Sequence, residues 1–332
     1  MHVELGVGLA TAVGSLPHLD PHAAAELSLR RHPSLPAIPS LPSRSPWESM
    51  LGQAAAGLPG VTLTDRGLEL VDGGPGPDDI PITDLQHDAF GGMRAFLDLA
   101  AGRTEPVKWQ VTGPVTLGLA LLHAGLPAPT AFERAQLATC ARITALGAEV
   151  SAALPGVGQV VIVDEPSLTG LAHPGFPVSP REAMDLLSAA LGAADCFAVA
   201  GVHCCGSTDW GLVDQAGAAI MSMPADHGAV RCSGALADFL ARGGRIAWGA
   251  IPTDGPRGDG VDRHWRALAA VWCELVRAGC DPVRLRTQAI VTPECGLAPH
   301  TIEQADHVLG LTQDLADRVL DQAVATRFSL GA

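Results

Sequence analysis

A chain of 332 residues, 47% of them hydrophobic, has the material for a substantial core, which excludes a disordered protein. Its formal net charge of −14 argues against nucleic acid or an anionic membrane as partner, and no apolar run reaches the roughly 20 residues of a membrane-spanning helix. Eight cysteines, two of them adjacent, do not make a disulfide framework in so long a chain, and the N-terminus shows no basic segment of a secretory signal, so a reducing cytoplasm is expected.

Short apolar strands alternate with helical stretches from end to end. Residues 11–15 read as the first strand, with a helix over 21–31, and residues 36–40 as the second, with a helix over 47–56. An irregular segment near 57–83, with Gly73-Gly-Pro-Gly-Pro77 at its centre, reads as a hairpin or an excursion rather than a linker between domains. A helix over 84–101 leads to a third strand, 107–111, which runs into Thr112-Gly-Pro-Val-Thr116. After an alanine-rich helix over 131–153, the β-branched strand 160–163 ends on Asp164-Glu-Pro166. Ser179-Pro180 supplies the cap and first turn of a helix over 179–191. Strands follow at 197–202, 219–223, 245–249 and 289–292, separated by helices at 209–215, 234–241 and 262–278, and a helix over 300–326 closes the chain. Eight strands with intervening helices predict an α/β fold, a (β/α)8 TIM barrel forming a single domain over 1–332.

The chemistry collects at strand ends. In Gly201-Val-His-Cys-Cys-Gly206, His203 and Cys205 lie two apart, so on an extended backbone both leave one face and Cys204 leaves the other. Imidazole and thiolate together suit zinc, and Cys295 in Val291-Thr-Pro-Glu-Cys-Gly296 completes a three-ligand set. A lone buried cysteine ordinarily packs as a small hydrophobe and a buried histidine is ordinarily satisfied in the core. Two such motifs, both at strand ends, favour the metal. A barrel gathers the residues after its strands on one face: Ser15, Thr112, Asp164, Glu165, His203, Cys205, Thr292, Glu294 and Cys295. Taken alone, Asp164-Glu165 would be a helix cap or a solvated pair. Beside zinc ligands, a carboxylate there can hold a substrate amine or receive a proton, and Gly14-Ser15 offers N–H groups and a hydroxyl to a carboxylate.

Val13-Gly-Ser15, Thr112-Gly-Pro-Val-Thr116, Val163-Asp-Glu-Pro166, His203-x-Cys205 and Pro293-Glu-Cys-Gly-Leu297 occur in the order found in the catalytic C-terminal barrel of cobalamin-independent methionine synthase. The chain resembles that barrel over nearly its full length, without a counterpart of the synthase's N-terminal barrel. The resemblance implies a zinc-dependent methyltransferase in which homocysteine, bound as its thiolate, takes a methyl group from methyltetrahydrofolate to give methionine. It implies His203, Cys205 and Cys295 as Zn2+ ligands and Asp164 as partner of the substrate amine, with Glu165 beside it as a second catalytic carboxylate. Ser15, with Gly14, Glu48 and Thr112, is expected to line the acceptor site. Two departures stand out. Where the family has a glutamate as fourth zinc ligand, at the end of strand six, this chain has Ser222-Met-Pro224, leaving Asp226, His227 or a three-ligand site. The acid and imidazole that the family uses after strand seven are missing from Trp248-Gly-Ala-Ile-Pro-Thr253, unless Glu294, Asp226 or His227 supplies the acid. The alternative donor is a corrinoid protein, as in zinc methyltransferases of the uroporphyrinogen decarboxylase-like superfamily. The rival from another class is a metal-free barrel with a binding or regulatory role.

Overall fold

The computed structural model describes residues 3–254 and 260–330. In chain order the elements are β1 (Leu9–Ala10), α1 (Pro21–Arg31), α2 (Met50–Ala55), β2 (Val61–Thr64), β3 (Gly67–Leu70), α3 (Gly91–Leu99), β4 (Val107–Thr112), α4 (Pro114–His123), α5 (Ala128–Ala153), β5 (Gln159–Asp164) and α6 (Pro180–Ala194). Then come β6 (Ala198–His203), α7 (Trp210–Gln215), β7 (Ile220–Pro224), α8 (His227–Arg231), α9 (Ser233–Ala241), β8 (Arg245–Ile251), α10 (Val261–Arg277), α11 (Pro282–Thr287), β9 (Ala289–Pro293) and α12 (Ile302–Leu330). Among the described residues no helix is long and apolar enough to cross a membrane.

Seven strands form one all-parallel sheet in the order β1-β9-β8-β7-β6-β5-β4, curled into a half-barrel. The expected closed sheet of eight strands is not what the ladders form. Residues 36–40, read from sequence as a strand, lie between the two edges and make only isolated bridges, Ser15 with Ser40 and Ala37 with Lys108. Ile38 N–H donates to the Lys108 carbonyl and Lys108 N–H to the Pro36 carbonyl on one side, and Ser40 N–H to Gly14 and Leu16 N–H to Ser40 on the other. Pro36 and Pro39 carry no N–H, so this segment cannot sustain a ladder. The first strand also differs. Its ladder covers Leu9–Ala10 rather than 11–15, because the chain turns at Gly14, whose φ of +139° disfavours any residue with a Cβ.

Most of the remaining sheet strands were legible because they are apolar runs buried on both faces, as parallel strands between helices must be. Val161, Val163 and Trp109 face the helices; Val160, Ile162, Ile220 and Ile290 fill the inside of the curl. Each fully buried side chain of this size contributes about 1.5–3 kcal/mol. The expected cap at Ser179 is a full capping box, with Ser179 and Glu182 each bonding the other's backbone N–H. The excursion is an antiparallel hairpin, β2 with β3, whose Leu68 is buried against Leu117 and Leu121 of α4 and Ala135 of α5. Three helices went unread, α4, whose start lies inside the Gly-Pro-Val-Thr motif, and the short α8 and α11. The stretches 47–56 and 84–101 each divide into a 3-10 turn and a shorter helix.

Candidate active site at the carboxyl ends of the strands

The parallel register builds the site. Thr112 pairs with Asp164, Asp164 with His203, and His203 with Ser222, so one row of side chains at the ends of β4, β5, β6 and β7 is polar. Below it, β5 and β7 turn apolar Ile162, Val160 and Ile220 inward and only β4 adds polar groups, Gln110 and Lys108. Neighbours in a parallel register point to the same face. These residues therefore look into the curl together.

Above this row opens a cavity of about 320 Å³. Of the residues expected at the site, Ser15, Thr112, Asp164, His203, Cys205 and Cys295 line it. Cys204 does not. It is fully buried in the core, where burial pushes its thiol up to about 11. Cys205 and Cys295 stand on the same cavity wall, near enough for their thiols to influence each other. That interaction draws Cys205 below the ordinary thiol value and raises Cys295, because a thiolate at one position is stabilised by the S–H of the other. His203 Nδ1 shares a 2.9 Å hydrogen bond with Ser222 Oγ, which fixes the ring and leaves Nε2 as its second donor atom. Burial lowers the His203 pKa, with Asp164 opposing, so the imidazole stays in its neutral, metal-binding form.

Two thiols and a neutral imidazole on one cavity wall make a donor set that suits zinc. Among the described residues, no three His, Cys, Asp or Glu side chains already converge on a metal position. Ligation would draw the two sulfurs and the imidazole together onto the ion. Neither replacement considered for a fourth ligand lines the cavity. Asp226 caps α8 through Gly228 N–H (2.7 Å), and His227 lies on the surface 3.2 Å from Glu274.

Asp164 is 6% exposed, and burial raises its pKa against the opposing fields of Lys108 and His203. Its neighbour Glu165 turns away from the cavity. The Glu165 carboxylate accepts hydrogen bonds from Val115 N–H (2.8 Å), Thr116 N–H (2.8 Å) and Thr116 Oγ1 (2.6 Å), in the first turn of α4. Burial nevertheless pushes it up to about 7, against those bonds. Glu48 is also fully buried and outside the cavity, where it accepts from Arg44 Nε (2.6 Å), Leu41 N–H (2.9 Å) and Gly92 N–H (3.3 Å). Gly14 acts through its backbone, since a Cβ there would meet the Gln110 side chain at 2.2 Å. Ser15 Oγ lies over Gly296, where a Cβ would come within 2.2 Å of it, and Leu297 N–H donates to the Ser15 carbonyl (2.9 Å). The Ser15 turn is thereby tied to the Cys295 loop. Glu294, next to Cys295, has its pKa raised by burial and by the neighbouring charges of Asp226 and Asp254.

Sequence reading missed Lys108, Gln110 and Ser222 as members of this region. The signal for the first two was present in the strand Val107-Lys-Trp-Gln-Val-Thr112. Its polar residues recur at period two, which sends Lys108, Gln110 and Thr112 to one face and Trp109 and Val111 to the other. Comparison with models of protein families and with curated protein sequences finds no match to this chain.

Proposed function

We propose that this chain is a zinc-dependent methyltransferase that activates a thiol, homocysteine, to accept a methyl group and give methionine. The proposal includes a (β/α)8 barrel as scaffold, with residues 36–40 as the stave that joins the edges of β1 and β4. The observation that carries it is the placement of Cys205 and Cys295 together in the wall of a cavity that His203, Asp164 and Ser15 also line.

Zinc held by His203, Cys205 and Cys295 would lower the pKa of an acceptor thiol, so that a thiolate is present at neutral pH. The chain's own residues do the rest. Asp164 receives the acceptor's ammonium and Ser15 meets its carboxylate, so the thiol end points toward His203 and the cysteines. Ser222 holds the His203 ring in orientation. Glu165 is a positioning residue, tying the start of α4 to the end of β5. For the donor, two chemistries compete. Methyltetrahydrofolate needs its leaving nitrogen protonated, and Glu294, next to Cys295 in the chain but outside the cavity lining, is the acid weighed for that purpose. A methylated corrinoid protein needs no acid, because the corrinoid departs as a stable reduced species.

The test is one assay of methyl transfer to homocysteine by zinc-loaded protein, with both donors at matched concentration. Transfer from the methylcorrinoid faster than from methyltetrahydrofolate is the expected result, since a positioned acid contributes about 10²–10⁴-fold to a step that needs one. Brisk turnover with methyltetrahydrofolate would show that another loop supplies the acid missing after β8. No methionine from either donor would overturn the proposal and favour a metal-free barrel with a binding role.

A further inference from the structure

Below the active-site cavity, inside the curl of the sheet, lies a second and much smaller one of about 20 Å³. Its wall includes Thr11, Lys108, Asp164, His203 and Ser222. Asp164 and His203 line both cavities, so the Asp164 carboxylate is part of the partition between them. Lys108 is 2% exposed, in a strand otherwise flanked by apolar neighbours. Its ammonium donates to the Val13 carbonyl and, at 2.9 Å, to Gln110 Oε1. An ammonium has three protons to donate, so one remains. Asp164 Oδ1 and Thr11 Oγ1 are both buried without a hydrogen-bond partner. Lys108 and Asp164 interact through their charges without a direct hydrogen bond between them. A cavity of this volume holds one water where two to four polar groups face it. Amid apolar Leu35, Val160, Ile162, Ile220 and Ile290, the lining brings together Lys108, with a proton to donate, and Asp164 and Thr11, each with an unpartnered oxygen.

We infer that Lys108 is the positioning residue of Asp164. Through one water in the small cavity, its third N–H binds Asp164 Oδ1 from below, and the carboxylate is held with its other oxygen toward the active-site cavity. The consequence is specificity. A carboxylate fixed in this way selects an acceptor that carries an ammonium over one of the same shape that lacks it. This inference rests on the proposed acceptor, and the experiment separates the two.

The experiment measures the dissociation constants of homocysteine and of its des-amino analogue, γ-mercaptobutyrate, for the zinc-loaded parent and for Lys108→Met. The parent is expected to prefer homocysteine by about tenfold or more, as a charge-assisted contact implies. In Lys108→Met that preference falls toward unity while the affinity for γ-mercaptobutyrate stays within about twofold. Should Lys108→Met fail to fold, Lys108→Gln, which keeps an N–H for the Val13 carbonyl without the charge, reads the same ratio. A preference retained in the variant would overturn the role of Lys108, and so would an equal weakening of both ligands, the mark of a merely structural lysine. A parent with no preference for the amino acid would overturn the acceptor assignment itself.

Discussion

Cys205, just beyond β6, and Cys295, just beyond β9, line the same cavity, although β7 and β8 lie between their strands in the sheet. Only a curled sheet brings such loops together. The meeting point is also where His203 presents its neutral ring, which gives the first prediction. Protein purified under reducing conditions and supplied with zinc should hold about one ion per chain, with sulfur ligands at about 2.3 Å. A Cys205→Ser/Cys295→Ser double variant should hold none, by metal analysis, and undiminished zinc in it would place the metal elsewhere.

Cys204 provides the control. Its thiol lies in the core and outside the cavity, so Cys204→Ala should keep its zinc and lose stability on the order of 1 kcal/mol or less, the transfer term for one small group. Chemical denaturation and metal analysis of the same preparation check both halves. Loss of zinc would mean that the loop after His203 rearranges on ligation.

Asp164 lines the cavity with a buried carboxylate, and Asp164→Asn removes its charge at nearly constant shape. Homocysteine binding should weaken by about 1.5–3 kcal/mol, the range of a charge-assisted hydrogen bond, with zinc content unchanged. Titration calorimetry gives the first quantity. An unaltered affinity would remove Asp164 from the acceptor site.

Glu165 predicts a pH dependence of stability. Its pKa in the folded chain is raised from 4.5 to about 7, chiefly by burial, so the folded state binds this proton more tightly than the unfolded state. The stabilisation is therefore complete below the unfolded value and disappears as pH rises through about 7. Unfolding free energy should fall by up to a few kcal/mol between roughly pH 5 and pH 8 from this group. Glu165→Gln should flatten that part of the profile, at a constant penalty for the acceptor oxygen it no longer offers to Val115 and Thr116. A variant with the parent's slope would assign the pH dependence to other groups.

What the sequence by itself determined is what local pattern controls. Apolar, β-branched runs such as Val160-Val-Ile-Val163 form strands because burial on both faces leaves no alternation to misread. His203 and Cys205 share a face because side chains alternate along an extended backbone, and Cys204 is sent to the core by the same rule. Ser179-Pro180 starts its helix because the cap needs only residues within one turn. What the tertiary structure alone decided is which carboxylates are free to act. Asp164 and Glu165 are adjacent and chemically alike, yet one faces the cavity while the other is held by Val115 and Thr116 from a different element. Glu48 is likewise engaged by Arg44, Leu41 and Gly92. The same holds for the eighth strand. Residues 36–40 are apolar enough for one, but whether their few N–H groups meet partners depends on the edges of β1 and β4, which only the folded sheet supplies. Side-chain alternation is a property of consecutive residues, whereas the occupation of a buried carboxylate depends on donors brought in from distant parts of the chain.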